Sequence, residues 1–215
     1  GNFGDIYAGY LAKKMGLNIN KLIVATNEND ILNRVIETGE YKPRIAKSSI
    51  TPSMDIQVAS NFERLLFDLL KGDDKKVSSY MNKLTSDGNF KLNQEELQSL
   101  KKNFIGRSIN NKSTLGIINH VFKLNNYIID PHTATGVAPI LLGNVEETEE
   151  IFTNSSDVVA LATADAYKFI ETVEPEIKKV DINSKVSIPQ KLSEIKNKKE
   201  KFDIIGNSIT EVNNY

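Results

Sequence analysis

Residues 1–26 read GNFGDIYAGYLAKKMGLNINKLIVAT, and the order of features in this stretch decides the fold class. Gly1 and Gly4 bracket Asn2 and Phe3 and lead at once into a segment where Ile6, Tyr10, Leu11 and Met15 recur at helical spacing. Lys13 and Lys14 mark its last turn, and Gly16 is placed to end it. Leu22-Ile23-Val24-Ala25 is then a short unbroken apolar run, the pattern of a strand buried on both faces of a parallel sheet. Loop, helix and strand therefore follow in α/β order.

The pattern extends outward from there. Asn27, Glu28, Asn29 and Asp30 supply N-cap candidates for a helix carrying Ile31, Leu32, Val35 and Ile36, with Gly39 as its stop. Residues 41–55 contain Pro43 and Pro52 among Ser and Thr and read as a loop, after which Phe62, Leu65, Leu66 and Leu69 resume a helical stripe. Val77, Tyr80, Met81 and Leu84 step by three and four residues, Asn93 with Glu96 resembles a capping box, and Leu115, Ile118 and Phe122 continue the pattern. The middle of the chain thus reads as a helical insertion packed beside the sheet. Asp130-Pro131-His132 breaks the pattern and offers a new helix start. Residues 143–157 are acidic and aperiodic, as in a surface loop, and Val158-Val159-Ala160-Leu161-Ala162 gives a second buried-strand signal. A short helix is expected around Tyr167 to Thr172, a linker over 174–187, and a charged, solvated helix from Pro189 to Phe202. The expected organisation is a cofactor-binding α/β region over 1–50, a mainly helical insertion and cleft wall over 51–125, and the remainder of the α/β region with a C-terminal helix over 126–215.

Composition narrows the chemistry. The chain has 215 residues, 40% hydrophobic and 26% charged, which suits one or two packed globular domains. A net charge of −1, with acidic and basic residues interspersed, provides no field to recruit nucleic acid or anionic lipid. The absence of Cys removes disulfides, thiolate metal sites and Cys nucleophiles, two isolated His argue against a zinc centre, and a cytoplasmic setting is expected. No apolar run reaches the roughly 18 residues of a membrane span. The chain begins on Gly1 rather than Met, so an upstream segment is expected, and any targeting signal would lie within it.

Two segments carry the strongest chemical signals. In Gly1-Asn2-Phe3-Gly4-Asp5, glycines allow close backbone approach, and the unpaired amides of the following helical turn form an anion cradle suited to phosphate. The same residues also serve as a glycine turn that merely starts a helix, and the spacing is neither that of a P-loop nor of a dinucleotide fingerprint. In Leu161-Ala162-Thr163-Ala164-Asp165, a hydroxyl and a carboxylate leave the expected strand end, where α/β proteins collect ligands, although either residue also suits an N-cap. His132 is a candidate base or anion ligand or a structural hydrogen-bonding residue, and His120 reads as a packing His. Ser53, Asp55, Asn61 and Arg64 flank a loop-to-helix transition as candidate pocket walls, with Arg64 suited to a substrate phosphate.

Taken together, these segments resemble threonine synthase, a pyridoxal-phosphate enzyme family of the tryptophan-synthase β-like fold. GNFGDIYAGYLAKKMGLNINKLIVATNENDIL is similar to the family's GNFGD segment with its helix, strand and NEND turn. TPSMDIQVASNFERLLFDLL, YIIDPHTATGVA and LATADAYKF resemble its SPSMDI, SNFER, DPHTA and TAHPAKF signatures, and SIPQKLSEIKNKKEKFDII is similar to its closing helix, so residue 215 is expected near the native end. The resemblance implies a fold type II pyridoxal 5'-phosphate enzyme, represented here without its amino-terminal part. It implies a carbon-oxygen lyase that converts O-phospho-L-homoserine and water to L-threonine and phosphate.

It makes Gly1, Asn2, Phe3, Gly4 and Asp5 the coenzyme's phosphate cup and brings the Thr163 hydroxyl to the pyridine nitrogen. A neutral partner there does not enforce ring protonation as a carboxylate does. Ser53, Asp55, Asn61 and Arg64 fall near the cleft as substrate-pocket candidates. The family's Schiff-base lysine lies upstream of GNFGD, so no lysine of this chain takes that role and the isolated chain is expected to be inactive. No nucleic-acid, membrane or metal partner is implied. The chain departs from the family in having Asp165-Ala166 where His-Pro follows Thr-Ala; Asp165 is expected to cap the next helix, with an electronic effect on the ring as the alternative. The competing readings are a related phospholyase or amino-acid dehydratase, and a non-catalytic phosphate-ligand-binding module.

Overall fold

Helix α1 (Gly4–Lys14) feeds strand β1 (Leu22–Thr26) in a computed structural model that describes residues 1–142, 157–196 and 198–215. The chain leaves α1 through Gly16, whose φ of +106° only glycine adopts without strain. Ile6, Tyr7 and Tyr10 of α1 pack on the core, whereas Leu11 and Met15, read in the sequence as part of the same stripe, are exposed. Helix α2 (Ile31–Thr38) buries Ile31, Leu32, Val35 and Ile36 and ends at Gly39, with φ +77°. After β2 (Glu40–Tyr41), a long loop reaches a single 3-10 turn at Pro52–Met54 and helix α3 (Phe62–Leu69).

Helix α4 (Asp74–Ser86) is capped by Asp73, and β3 (Phe90–Lys91) pairs antiparallel with β2. Helix α5 (Gln94–Asn103) starts in the expected capping box, with the Asn93 side chain accepting from the Glu96 amide and Glu96 accepting from the Asn93 amide. The chain then turns into β4 (Phe104–Ser108), which lies parallel to β1 in the register Leu22↔Phe104 to Thr26↔Ser108. Helices α6 (Asn111–Asn125) and α7 (Pro131–Leu142) follow, and then a 3-10 turn at Ala166–Phe169 running into α8 (Ile170–Lys178). Short helices α9 (Gln190–Ile195) and α10 (Ile209–Asn214) close the chain.

The parallel sheet differs from the sequence reading in both of its expected strands. β4 arises within the stretch read as helical: FIGRS is short, polar at its end, and follows directly on the apolar stripe of α5, so no periodicity announces it. Gly106 shows why it fits there. A Cβ at Gly106 would lie 2.5 Å from Asn33 Oδ1 and 2.8 Å from its Cα, so α2 packs directly on the strand backbone. β1 itself alternates between buried and half-buried positions instead of being buried on both faces.

Conversely, Val158 to Ala162 is not a strand; Val159 is 81% and Leu161 58% exposed. An apolar run becomes a strand only where a neighbour completes its hydrogen bonds, and among the described residues none pairs with it. The linker expected over 174–187 is partly helix: α8 extends to Lys178 and buries Val173 and Ile177, with Val186 beyond it. The helix expected to reach Phe202 covers only Gln190–Ile195. The acidic stretch 143–156 lies outside the described residues.

The buried apolar side chains form two clusters. One, from Phe3 to Phe104, fills the space between β1, β4 and α1 to α5, with Tyr41 stacked between Phe62 and Phe90 at centroid distances of 5.3 and 4.9 Å. The other joins α6, α7 and α8 through Ile117, Ile118, Ala134, Ala138, Val173 and Ile177. Helix α7 packs on both α6 and β1, so the carboxyl ends of the parallel strands lie near the seam between the clusters.

Candidate functional site

The carboxyl ends of β1 and β4 are where an α/β fold presents ligands, and here they open onto a knot of polar side chains. Asn27, following β1, places its Nδ2, which has two hydrogens to donate, within hydrogen-bond distance of Ser49 Oγ (2.8 Å), Thr51 Oγ1 (2.9 Å) and Asp55 Oδ1 (2.7 Å). Its own Oδ1 accepts the Asn29 amide at 2.8 Å. Asn29 donates to Asp55 Oδ1 (3.0 Å) and to the Lys47 carbonyl (2.9 Å), and accepts the Lys47 amide (2.8 Å). Asp55 also accepts Ser49 Oγ at 2.6 Å and the Ser49 amide at 2.9 Å. Asn27, Asn29 and Thr51 are buried, so these bonds replace water and fasten loop 47–57 to the strand end. The sequence reading took Asn27 and Asn29 for helix caps; α2 begins after Asp30 without a side-chain cap, and both amides serve the loop instead.

The loop forms one wall against residues 1–5. A Cβ at Gly1 would fall 2.6 Å from the Ser53 carbonyl oxygen and 2.9 Å from Met54 Cα, which leaves room for glycine alone. Asn2 Oδ1 accepts the Ser60 amide (2.9 Å) and hydroxyl (2.8 Å), and the Asn2 carbonyl accepts Asn61 Nδ2 (3.2 Å). Phe3 sits at φ +68°, a left-handed conformation uncommon for an aromatic residue. Its ring is 3% exposed and lies 5.4 Å from the ring of Phe62 and 5.6 Å from that of Phe104, so burial holds the turn.

The consequence is at the start of α1. Phe3 supplies the helix N-cap without a side-chain hydrogen bond, and the first bond of the helix runs from the Tyr7 amide to the Phe3 carbonyl. The amides of Gly4, Asp5 and Ile6 therefore have no intrahelical acceptor, and Gly4 and Asp5 are exposed. This donor set, at the positive end of a helix and backed by a fixed turn, fits a phosphate dianion.

A third segment meets the same loop. Asp130 is buried and caps α7: its Oδ1 accepts the His132 amide (2.8 Å) and contacts His132 Nδ1 (3.0 Å), while Oδ2 accepts the Thr133 amide (3.3 Å) and hydroxyl. Burial pushes the carboxyl group up, but these donors outweigh it and hold Asp130 below the usual carboxylate range. His132 Nε2 accepts the Ser53 amide at 3.3 Å, and its ring lies 4.7 Å from that of Phe169. Phe169 ends the 3-10 turn whose N-cap is Asp165, which accepts the Tyr167 amide at 2.8 Å. The Asp165 carboxylate thus caps, as the sequence suggested.

The expected site residues accordingly fall into groups. Gly1, Ser53, His132 and the segment following Thr163 are joined by successive contacts, and Thr163 itself is exposed. Among the described residues no hydrogen bond or ring contact joins residues 1–5 directly to Thr163. Asp55 and Asn61 are engaged in holding the loops, whereas Ser53 and Arg64 are exposed, and Arg64 makes no ion pair among the described residues. His120, expected to pack, faces solvent on α6. The residues that sequence reasoning passed over are Ser49 and Thr51, and Asp130 was read there only as part of a helix start. Only Asp130 carried a usable signal, an acid before a proline at a helix start.

A family model described as threonine synthase, C-terminal, matches residues 133–215. Over 212 residues the chain is 36% identical to threonine synthase from Pseudomonas aeruginosa, covering 99% of this chain and 43% of that one. It is 35% identical to threonine synthase from Saccharomyces cerevisiae, across 95% of this chain and 42% of the relative. The fold superposes with a TM-score of 0.80 on a PLP-bound threonine synthase from Brucella melitensis, at 35% identity over 100% of this chain and 44% of that one. The chain is similar in sequence and in fold to the C-terminal part of threonine synthases.

It spans less than half the length of these threonine synthases. The α/β class expected from residues 1–26 is that of the threonine synthase structure on which the chain superposes.

Proposed function

We propose that the full-length protein carrying this chain is a pyridoxal 5'-phosphate-dependent threonine synthase, a lyase that converts O-phospho-L-homoserine and water to L-threonine and phosphate. The observation that carries this reading is the uncapped start of α1, held open by a buried aromatic residue in left-handed conformation beside a glycine that no other residue can replace. When bound, the coenzyme supplies an electron sink conjugated to the substrate Cα.

The chain's own residues have separate tasks. Amides of the first turn of α1, reached past Gly1, Asn2 and Phe3, receive the coenzyme phosphate, and the Thr163 hydroxyl meets the pyridine nitrogen as a neutral partner. Asp55 and Asn61 keep the walls in place. Ser53 and Arg64 present open polar groups, Arg64 with a planar fork suited to the substrate phosphate. Asp5 adds a negative charge near the cup and faces solvent. Two phosphates thus have separate donors: main-chain amides for the coenzyme and a guanidinium for the substrate. The protein is expected to work in the cytoplasm.

The test is a product assay on the full-length protein with O-phospho-L-homoserine. Equal amounts of phosphate and L-threonine are expected. Release of 2-oxobutyrate in place of threonine would point to the dehydratase or phospholyase chemistry of the same fold, and coenzyme-independent silence to a binding module.

A further inference from the structure

His132 is held from three sides, and the hydrogen-bond geometry fixes where its proton is. A backbone N–H can only donate, so His132 Nε2, 3.3 Å from the Ser53 amide nitrogen, must be unprotonated. Nδ1 then carries the hydrogen and donates it to Asp130 Oδ1 at 3.0 Å. The carboxylate can take that bond because it is buried and held ionised by its other donors, the amides of His132 and Thr133 and the Thr133 hydroxyl. The side chain is 8% exposed, and the Phe169 ring closes one face at 4.7 Å. The imidazole is thus neutral, in one tautomer and one orientation.

The group it holds is the wall of the cup. The Ser53 carbonyl and Met54 Cα stand so close to Gly1 that a single added carbon would collide with them. Moving Ser53 therefore moves the backbone that leads to the α1 amides, or leaves it unsupported. Phe169, on the other side of His132, belongs to the turn that follows Thr163. One side chain spans the gap between the two ends of the proposed coenzyme site, and it does so across the seam between the two apolar clusters.

We propose that His132 is a positioning residue for the coenzyme: the Nδ1 bond to Asp130 aims a bare Nε2 at the Ser53 amide and so fixes the Ser53–Met54 backbone against Gly1. This rests on the coenzyme reading of residues 1–5 given above, although the contact itself stands without it. Two substitutions separate the functions of the ring. His132→Asn keeps a donor near the Nδ1 position for Asp130 and removes the acceptor for Ser53; His132→Gln retains an acceptor at the reach of Nε2.

Both variants are made in the full-length protein, and two quantities are read: hydrogen exchange of the Ser53 amide and the dissociation constant for pyridoxal 5'-phosphate. His132→Asn is expected to speed Ser53 exchange and weaken coenzyme binding by roughly two- to tenfold, the effect of one lost hydrogen bond. His132→Gln is expected to restore both toward the parent protein. A role confined to the Asp130 turn gives the reverse order, with Asn tolerated and Gln defective, and that result overturns the proposal.

Should both variants fail to fold, the nitrogen-15 spectrum of the parent decides: an unprotonated Nε2 on His132 supports the contact, and a protonated one overturns it. A parent protein that binds no coenzyme overturns the functional reading, while the exchange pattern still decides whether His132 holds Ser53.

Discussion

Single carboxylates do much of the positioning in this molecule, and they differ in how they are held. Asp55 is satisfied by side chains and a backbone amide from the strand end and its own loop, so it acts as a fastener whose loss frees a wall. Asp130 is buried, and its hydrogen bonds depress its affinity for protons despite the burial that raises it. A carboxylate whose folded-state pKa lies below its unfolded value contributes stability above about pH 4, and that contribution is lost as pH falls through the folded value. Denaturant midpoints measured from pH 7 down to pH 3 are therefore expected to fall more steeply for the parent than for Asp130→Asn, so that the gap between the two narrows in acid. Parallel curves would show that Asp130 is not held ionised by this turn. Asp130 adjoins a proline in the sequence, and Asp55 follows one by three residues. Only Asp130 could be read there as a cap, because the partners of Asp55 lie 6 to 28 residues away.

At the scale of elements, local signals announced what local forces make, and failed where a neighbour decides. The capping box at Asn93 and Glu96, the glycine stops at Gly16 and Gly39 and the helix start at Asp130 are all completed within a few residues, and all stand in the structure. β4 and the run from Val158 to Ala162 show the opposite. FIGRS has weak strand character but finds β1, whereas the stronger apolar run has no pairing strand among the described residues. The fit of β4 is testable through its glycine. Gly106→Ala forces a methyl group onto Asn33 and should cost about 1–3 kcal/mol, the range for overpacking a filled interior. Gly116→Ala, on an exposed position of α6 with nothing within 4 Å, should instead stabilise by about 0.8–1 kcal/mol. Thermal unfolding of the two variants reads the difference, and equal effects would mean that α2 does not press on β4.

Across the whole molecule, Gly1, Ser53, His132 and Phe169 come from four stretches far apart in the chain and are joined by successive contacts near the seam between two apolar clusters. Their gathering was not derivable from spacing; the resemblance supplied the set, and the loop 47–57 is what brings Gly1 and His132 to the same place. The central claim is that the first turn of α1 receives the coenzyme phosphate while Thr163 meets the other end of the ring. A crystal structure of the full-length protein with pyridoxal 5'-phosphate measures this directly. The account predicts phosphate oxygens within hydrogen-bond distance of the Gly4, Asp5 and Ile6 amides, and the Thr163 hydroxyl against the pyridine nitrogen. A phosphate seated elsewhere, with those amides facing only water, would contradict it.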